Sequence, residues 1–323
     1  MKQWALSLCA LIVLNLGWSS YADAQTLDEN EQIWRSSVAR FCGEYPSKEN
    51  CDDGDSVLFN GLLCMSGEEL GCKTVRDSQD ASGQFWRSPR RNPNNLNEKS
   101  SFSRDQTLGV LLYLAKTRDT AAALSWMRWI EENAYCAVKN PSGEGCLVTI
   151  HRVCLDSDNG SCTMTASLWG LTRKVWDALG LLPNRPMQDF NNADVSDLEI
   201  AAAAIEEPGY KLHLKAVSSF LRLTLGESLT RSKRIVEKLY ARESANPFFQ
   251  LLAEGPSEPL TAHLLDVCPK PTDSLDYVRF QWAWERATSE QAWRKSMGWD
   301  CIFMANLIRN YNRDLTPFQI DFE

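Results

Sequence analysis

Apolar residues recur at the spacing of an α-helix along most of the chain. The stretch 120–131 carries Leu124 and Met127 on one stripe, as a half-exposed helix does. The stretches 55–65 and 108–114 are apolar at almost every position, which is typical of buried helices. The pattern therefore predicts an all-α protein in which buried helices alternate with half-exposed ones.

The predicted buried helices are evenly spaced along the chain. They begin near Asp55, Asp105, Thr163, Tyr210, Pro247 and Gly298, roughly fifty residues apart. Six helical hairpins of this kind close naturally into a double ring, because each hairpin buries its inner face against its neighbours. The arrangement resembles the α/α toroid of six-hairpin glycosidases and several polysaccharide lyases, as an architecture without a shared catalytic motif. The resemblance implies one toroid domain over residues 25–323 and an enzyme that acts on carbohydrate.

The first 24 residues have a different pattern. Lys2 precedes an apolar run of roughly fourteen residues, and Ala22-Asp23-Ala24 provides a small-x-small cleavage site. This is the pattern of a secretory signal peptide, and the run is too short to span a bilayer. We expect cleavage near Ala24 and export to the periplasm or the medium, without membrane insertion.

The cysteines agree with export. The chain has eleven cysteines, and ten remain once Cys9 is removed with the signal peptide. An even number in an exported chain favours disulfides over metal ligands. They fall into close neighbours along the sequence: Cys42/Cys51, Cys64/Cys72, Cys136/Cys146, Cys154/Cys162 and Cys268/Cys301. We expect five mostly local bridges and no metal site, although spacing alone does not prove which cysteines pair.

The net charge and the absence of known motifs exclude several classes of partner and cofactor. The net charge of −8 disfavours nucleic acid and anionic membrane surfaces. The sequence has no Gly-rich phosphate loop, no H-E-x-x-H and no G-x-S-x-G motif, so we predict no cofactor. The predicted partner is a polysaccharide or another glycan, and nothing in the pattern fixes an oligomeric state.

One segment departs from the helical pattern. Residues 145–162 have β-branched side chains on both sides of His151 and end in the turn-rich stretch DSDNGS. They predict a small β-hairpin inserted between helices and stapled by a disulfide.

Polar residues stand where the buried helices begin, at one mouth of the predicted ring. Asp55 opens the first buried helix, and Arg104, Asp105 and Gln106 open the next. Two carboxylates beside one cleft can hydrolyse a glycosidic bond, one as the acid and the other as the base that activates water. We predict that Asp105 and Asp55 are catalytic, with inversion of configuration if their carboxyl groups lie about 6.5–9.5 Å apart.

Other residues near these helix starts suit sugar recognition. The polar, turn-rich stretch 76–91 includes an aromatic residue next to an arginine, and a Trp-Asp pair opens the last buried helix. Aromatic faces stack on sugar CH groups while charged and amide groups bind the hydroxyls. The predicted substrate-binding residues are Arg104, Trp86, Arg87, Gln106, Trp299 and Asp300.

The same residues also permit a purely structural interpretation. Ser103 and Gln106 have the spacing of a capping box, and the acid Asp105 suits the positive end of a helix. Asp55 can likewise cap its own helix. Arg104 is mildly unfavourable at a helix N-terminus, so we expect it to have a partner: Asp105, another carboxylate or an anionic substrate.

Two other functions fit the sequence. Tyr210 and His213 are three residues apart, on one predicted helical face. Such a pair can transfer the protons of a β-eliminating polysaccharide lyase, with Arg104 neutralising a uronate carboxylate. A periplasmic or secreted glycan-binding protein would use the same mouth without turnover.

Overall fold

The computed structural model describes residues 27–48, 51, 53–90, 101–141, 145–156, 159–182, 205–206, 209–226, 229–270 and 296–311. Over these residues the protein is mostly helical, with two small antiparallel sheets. The predicted signal peptide, residues 1–24, lies outside the described residues. Within them, every helix is too short or too polar to cross a membrane.

The helices agree closely with the hydrophobic pattern. Residues 27–33 are helical and lead into the π-helical turn Trp34–Val38. The α-helices that follow in the described residues are α1 Ser56–Ser66, α2 Glu69–Asp77, α3 Arg104–Thr117, α4 Thr120–Glu132, α5 Asn159–Cys162, α6 Ala166–Ala178, α7 Tyr210–Thr224, α8 Leu229–Arg242, α9 Pro247–Glu254, α10 Glu258–Val267 and α11 Gly298–Arg309. Five of the six predicted starts of buried helices lie within one residue of the observed ones. The sixth, Thr163, lies three residues before Ala166.

The β-structure differs from the prediction. Strands β1 Arg40–Cys42 and β2 Tyr45–Ser47 form a first hairpin, which the sequence did not predict. Strands β3 Tyr135–Lys139 and β4 Cys146–Ile150 form a second, so the hairpin predicted over 145–162 begins ten residues earlier. The turn-rich end of that segment instead leads into the short helix α5, which the Cys154–Cys162 disulfide holds against the preceding chain.

Helices α1 and α3 cross with their backbones in contact. A Cβ atom built on Gly109 would lie 2.2 Å from the carbonyl oxygen of Val57. One built on Gly61 would lie 2.3 Å from the carbonyl oxygen of Gly109. Side chains do not approach a backbone this closely, so the crossing requires glycine on both helices. Both glycines lie five residues after the start of their helix, so the crossing brings the two N-termini together.

The remaining helices pack around this crossing. Helix α3 contacts α1, α2, α4, α6 and α7, while α7, α8 and α9 contact one another in order. Helix α11 contacts both α9 and α1, so the last described helix packs against one near the beginning of the described chain. Large aromatic side chains fill the interior, among them the fully buried Trp126, Trp176, Phe59, Phe220 and Phe248.

Disulfides link all five neighbouring cysteine pairs expected from the sequence. Four of them join residues only 8 to 10 positions apart. The fifth, Cys268–Cys301, spans 33 positions and ties the end of α10 to α11. The prediction of five mostly local bridges is therefore confirmed.

We expect the protein that remains after removal of residues 1–24 to contain no free thiol. By the chain-entropy model each short bridge stabilises the fold by about 2–3 kcal/mol, because it restricts the unfolded chain. The test is thiol titration of the denatured, unreduced protein. Two or more reactive thiols per chain would contradict the pairing.

We expect Gly109→Ala to lower the free energy of unfolding by about 1–3 kcal/mol or more, because its methyl group must push α1 and α3 apart. The matched control is Gly170→Ala in α6, where an added Cβ meets nothing within 4 Å. That substitution should stabilise the protein by about 0.5–1 kcal/mol, since alanine favours a helix over glycine. Urea unfolding measures the stability of both variants. If Gly109→Ala were as stable as Gly170→Ala, the crossing would tolerate a side chain.

Candidate functional site

The α1–α3 crossing joins the start of one helix to the start of the other through Gln106. This side chain is fully buried in the first turn of α3. Its amide nitrogen donates to Oδ1 of Asp55 at 3.0 Å, and its amide oxygen accepts from the backbone N–H of Leu58 at 3.1 Å. Gln106 thus fixes the position of Asp55 relative to Arg104 and Asp105, its neighbours on α3.

Neither of the helix caps expected from the sequence is formed. Ser103 is the N-cap residue of α3, but its side chain makes no capping hydrogen bond. Asp55 is the N-cap residue of α1 and makes none either. The capping-box prediction was wrong because Gln106 bonds across to α1 instead of back to Ser103. Gln106 and Asp55 therefore bond to each other between the two helices.

Asp55 is surrounded by donors. Besides the bond from Gln106, its carboxylate pairs with Lys48 Nζ at 3.3 Å and lies 3.7 Å from Arg87 Nη1. The Lys48 side chain is only 2% exposed, so its charge depends on nearby acceptors. Arg87 also donates to the carbonyl oxygen of Gly54 at 2.5 Å, which holds its guanidinium beside the start of α1. Asp55 thus has two cations and an amide donor around it.

Asp105 has the opposite environment. It is half-buried, and in the part of the chain that the structure describes its carboxylate forms no hydrogen bond and no ion pair. Burial raises the pKa of Asp105, and the negative charge of Asp55 raises it further, while Arg104 and Arg87 oppose the shift. The two carboxylates that the sequence predicted to be catalytic are therefore near enough to interact and differ in their surroundings.

Arg104 lines a groove on the other side of this helix start. The groove has a volume of about 530 Å³ and runs between α3, α6 and α7. Among the described residues, Arg104 forms no hydrogen bond and no ion pair, although it interacts electrostatically with Asp105. Of the partners expected for Arg104 from the sequence, the described residues provide only Asp105, through an electrostatic interaction.

Trp86 lies between α2 and α3, directly before Arg87 in the chain. The side chain is half-buried, and its indole N–H donates to Oδ2 of Asp80 at 2.8 Å. The backbone of the next residue, Arg87, bonds to Ser101 and Val57, which anchors the loop to the starts of α3 and α1. Trp86 therefore has a fixed orientation next to Arg87.

Trp299 and Asp300 do not reach this site. Trp299 is 2% exposed and donates from its indole N–H to the carbonyl oxygen of Arg40 at 2.7 Å. Asp300 is fully buried and accepts from the backbone N–H of Met297 at 3.0 Å, as a residue in the first turn of α11. Both side chains support the core and the start of α11 and offer no surface to a substrate.

Tyr210 and His213 lie in different environments despite their spacing. Tyr210 is 52% exposed at the start of α7, whereas His213 is fully buried with its ring 6.3 Å from that of Phe248. Burial lowers the pKa of His213 well below its usual range. Both residues belong to α7, but Tyr210 is exposed to solvent whereas His213 lies in the core.

The structure adds a residue that the sequence did not indicate. Lys48 follows strand β2 in the stretch YPSKEN, seven residues before its partner Asp55. From the sequence, a lysine in such a polar stretch is expected to be exposed. The packing of the first hairpin against α2 buries it next to the start of α1.

No family model, curated protein or solved structure matches this chain. The assignment of function therefore rests on the geometry of the residues themselves.

We expect Asp105→Asn to stabilise the protein more, relative to wild type, at pH 7 than at pH 3. The folded protein binds a proton at Asp105 more tightly than the unfolded chain does, since folding raises this pKa. Above the raised pKa, the charged form of Asp105 thus opposes folding. This destabilisation disappears as the pH falls below the pKa of an aspartate in the unfolded chain, about 3.9. Urea unfolding at both pH values tests this, and a pH-independent difference would contradict it.

Asp55→Asn provides the matched comparison. At pH 7 it should lower the free energy of unfolding by about 1–3 kcal/mol, because the ion pair between the buried Lys48 and Asp55 is lost. Opposite effects of the same chemical change at the two positions would establish that their environments differ.

Proposed function

We propose that this chain is an exported carbohydrate-active enzyme, a glycoside hydrolase that cleaves a polysaccharide or glycan with two carboxylates. The observation that carries the proposal is the contrast between Asp55, surrounded by donors, and Asp105, without them. A pair of carboxyl groups in unlike environments can divide the roles of acid and base at one pH.

Asp105 is the acid in this mechanism. Its raised pKa keeps the carboxyl group protonated to a higher pH than that of an ordinary aspartate, so it can give its proton to the glycosidic oxygen. As the bond between the anomeric carbon and that oxygen breaks, Asp55 accepts a proton from water, and the water oxygen bonds to the anomeric carbon. Lys48 and Arg87 hold the Asp55 carboxylate in place for this step.

The neighbouring polar residues position the sugar. The half-exposed Trp86 offers an aromatic face beside Arg87, which suits stacking against the CH groups of a sugar ring. Arg104 binds the substrate from the groove. Gln106, which is fully buried and bonded to both Asp55 and Leu58, is a positioning residue.

An α/α toroid is the architecture we propose for the scaffold. The contacts follow a circular order, in which α1 packs on α3, α3 on α7, α7 on α8, α8 on α9, α9 on α11, and α11 on α1. A closed ring of hairpins requires such an order. The five disulfides suit the oxidising environment of an exported protein.

The lyase is the weaker of the two enzymatic hypotheses. It needs both Tyr210 and His213 to reach the substrate, and the complete burial of His213 argues against this. A glycan-binding protein without turnover would use the same residues, and the experiment below separates it from both enzymes.

We expect Asp105→Asn to reduce turnover of the responsive glycan by roughly 10²–10⁴-fold while the protein remains folded, because the acid is lost. Activity is measured on a panel of neutral and acidic glycans, by the release of reducing ends and by ultraviolet absorbance. Reducing ends without absorbance indicate hydrolysis, whereas an absorbing unsaturated product indicates a lyase. Binding without either signal indicates a binding protein.

The control variant is Glu258→Gln. Glu258 is also a carboxylate in the first turn of a helix, but it is exposed at the start of α10. It should leave turnover unchanged. If Asp105→Asn retains the wild-type rate, the assignment of Asp105 as the acid is wrong.

A further inference from the structure

The groove beside Arg104 concentrates positive charge. Three of its lining residues are cations, Arg104 from α3 and Lys211 and Lys215 from α7. Among the described lining residues the one carboxylate is that of Glu206, which lies 3.5 Å from Lys211 Nζ and 3.7 Å from Lys215 Nζ. The described part of the lining therefore carries a formal charge of +2, from three cations and one anion, in a chain whose net charge is −8.

These cations retain donors for a ligand. Both lysine–carboxylate distances exceed the roughly 2.7–2.9 Å of a strong charge-assisted hydrogen bond. Each ammonium has three donors, and the guanidinium of Arg104 has five N–H groups in a planar fork that matches a carboxylate or sulfate. Within the described residues, no hydrogen bond or ion pair occupies that fork. The groove thus has unused positive donors of the type that binds oxyanions.

The rest of the lining suits a sugar. The lining includes the hydroxyl-bearing residues Thr165, Ser167 and Ser218, and Leu214 and Ile235 add apolar surface. Hydroxyl donors and acceptors match sugar hydroxyls, while aliphatic side chains contact the CH groups of a ring. The volume of about 530 Å³ is large enough for more than one sugar residue.

We propose that this groove is an anion subsite that binds the carboxylate or sulfate group of an acidic glycan. Arg104 and Asp105 are consecutive residues in the first turn of α3, so an anion held by Arg104 would lie beside the start of the helix that carries Asp105. The identification of this glycan with the substrate rests on the hydrolase proposed above. The binding of the anion itself does not.

Binding is tested in the Asp105→Asn variant, so that hydrolysis does not consume the probe. Two matched pairs of probes are titrated calorimetrically: oligogalacturonate with its methyl ester, and dextran sulfate with dextran. We expect the charged member of at least one pair to bind roughly tenfold or more tightly than its neutral counterpart, because the charge-assisted bonds are lost in the neutral one. The first pair reports on carboxylate and the second on sulfate.

Charge changes in the groove should then alter affinity in both directions. Arg104→Gln should weaken binding of the charged probe by roughly tenfold, and Lys211→Met or Lys215→Met by roughly threefold each. Glu206→Gln should strengthen it by roughly threefold, since it raises the charge of the lining to +3 and frees both lysines. A gain of affinity cannot arise from a misfolded variant.

Lys233→Met is the matched control for the lysine variants. Lys233 is 59% exposed on α8, pairs with Glu237, and does not line the groove. It changes the net charge by the same amount and should leave affinity unchanged. If it weakens binding as much as the groove variants do, the effect is one of net charge alone and the site assignment fails.

The outcomes separate this inference from the proposed function. Charge-dependent binding that requires Arg104, without turnover of any glycan, supports the subsite and refutes the hydrolase. Turnover of neutral glycans, with charged probes bound no more tightly than neutral ones, supports the hydrolase and refutes the subsite. Absence of binding by every charged probe also refutes the subsite.

Discussion

The backbone contact between Gly61 and Gly109 sets the distance between α1 and α3, and the candidate site depends on that distance. With no side chain at either position, the two helices approach closely enough for Gln106 to reach Asp55 and the backbone of Leu58. A wider separation would leave the buried amide of Gln106 without partners, which is costly in the interior. The same crossing brings a half-buried Asp105 within electrostatic range of Asp55.

The two carboxylates differ because their neighbours come from different parts of the chain. The first hairpin and the loop before α3 deliver Lys48 and Arg87 to Asp55, whereas neither element donates to Asp105. Burial therefore acts on Asp105 with little compensation. Two identical side chains can take different chemical roles when their environments differ in this way. The difference supports the assignment of acid and base proposed for this site.

Arg104 links the carboxylate pair to the basic groove. Its backbone belongs to the same helical turn as Asp105, while its side chain lines the space between α3 and α7 together with Lys211 and Lys215. In an acidic protein, a local excess of positive charge attracts anionic groups to one place and keeps them away from the rest of the surface. The groove therefore offers a physical basis for the binding of acidic glycans proposed above.

The sequence by itself determined the helical class, the starts of the buried helices and the cysteine pairs, because these depend on local periodicity and short spacings. It also indicated that Asp55 and Asp105 lie near each other, from their place at successive helix starts. Only the tertiary structure decided that Gln106 bridges helices, that Lys48 is buried, and that Trp299 and His213 belong to the core. Each of these outcomes depends on contacts between residues distant in the chain, and no local pattern encodes which surfaces those contacts cover.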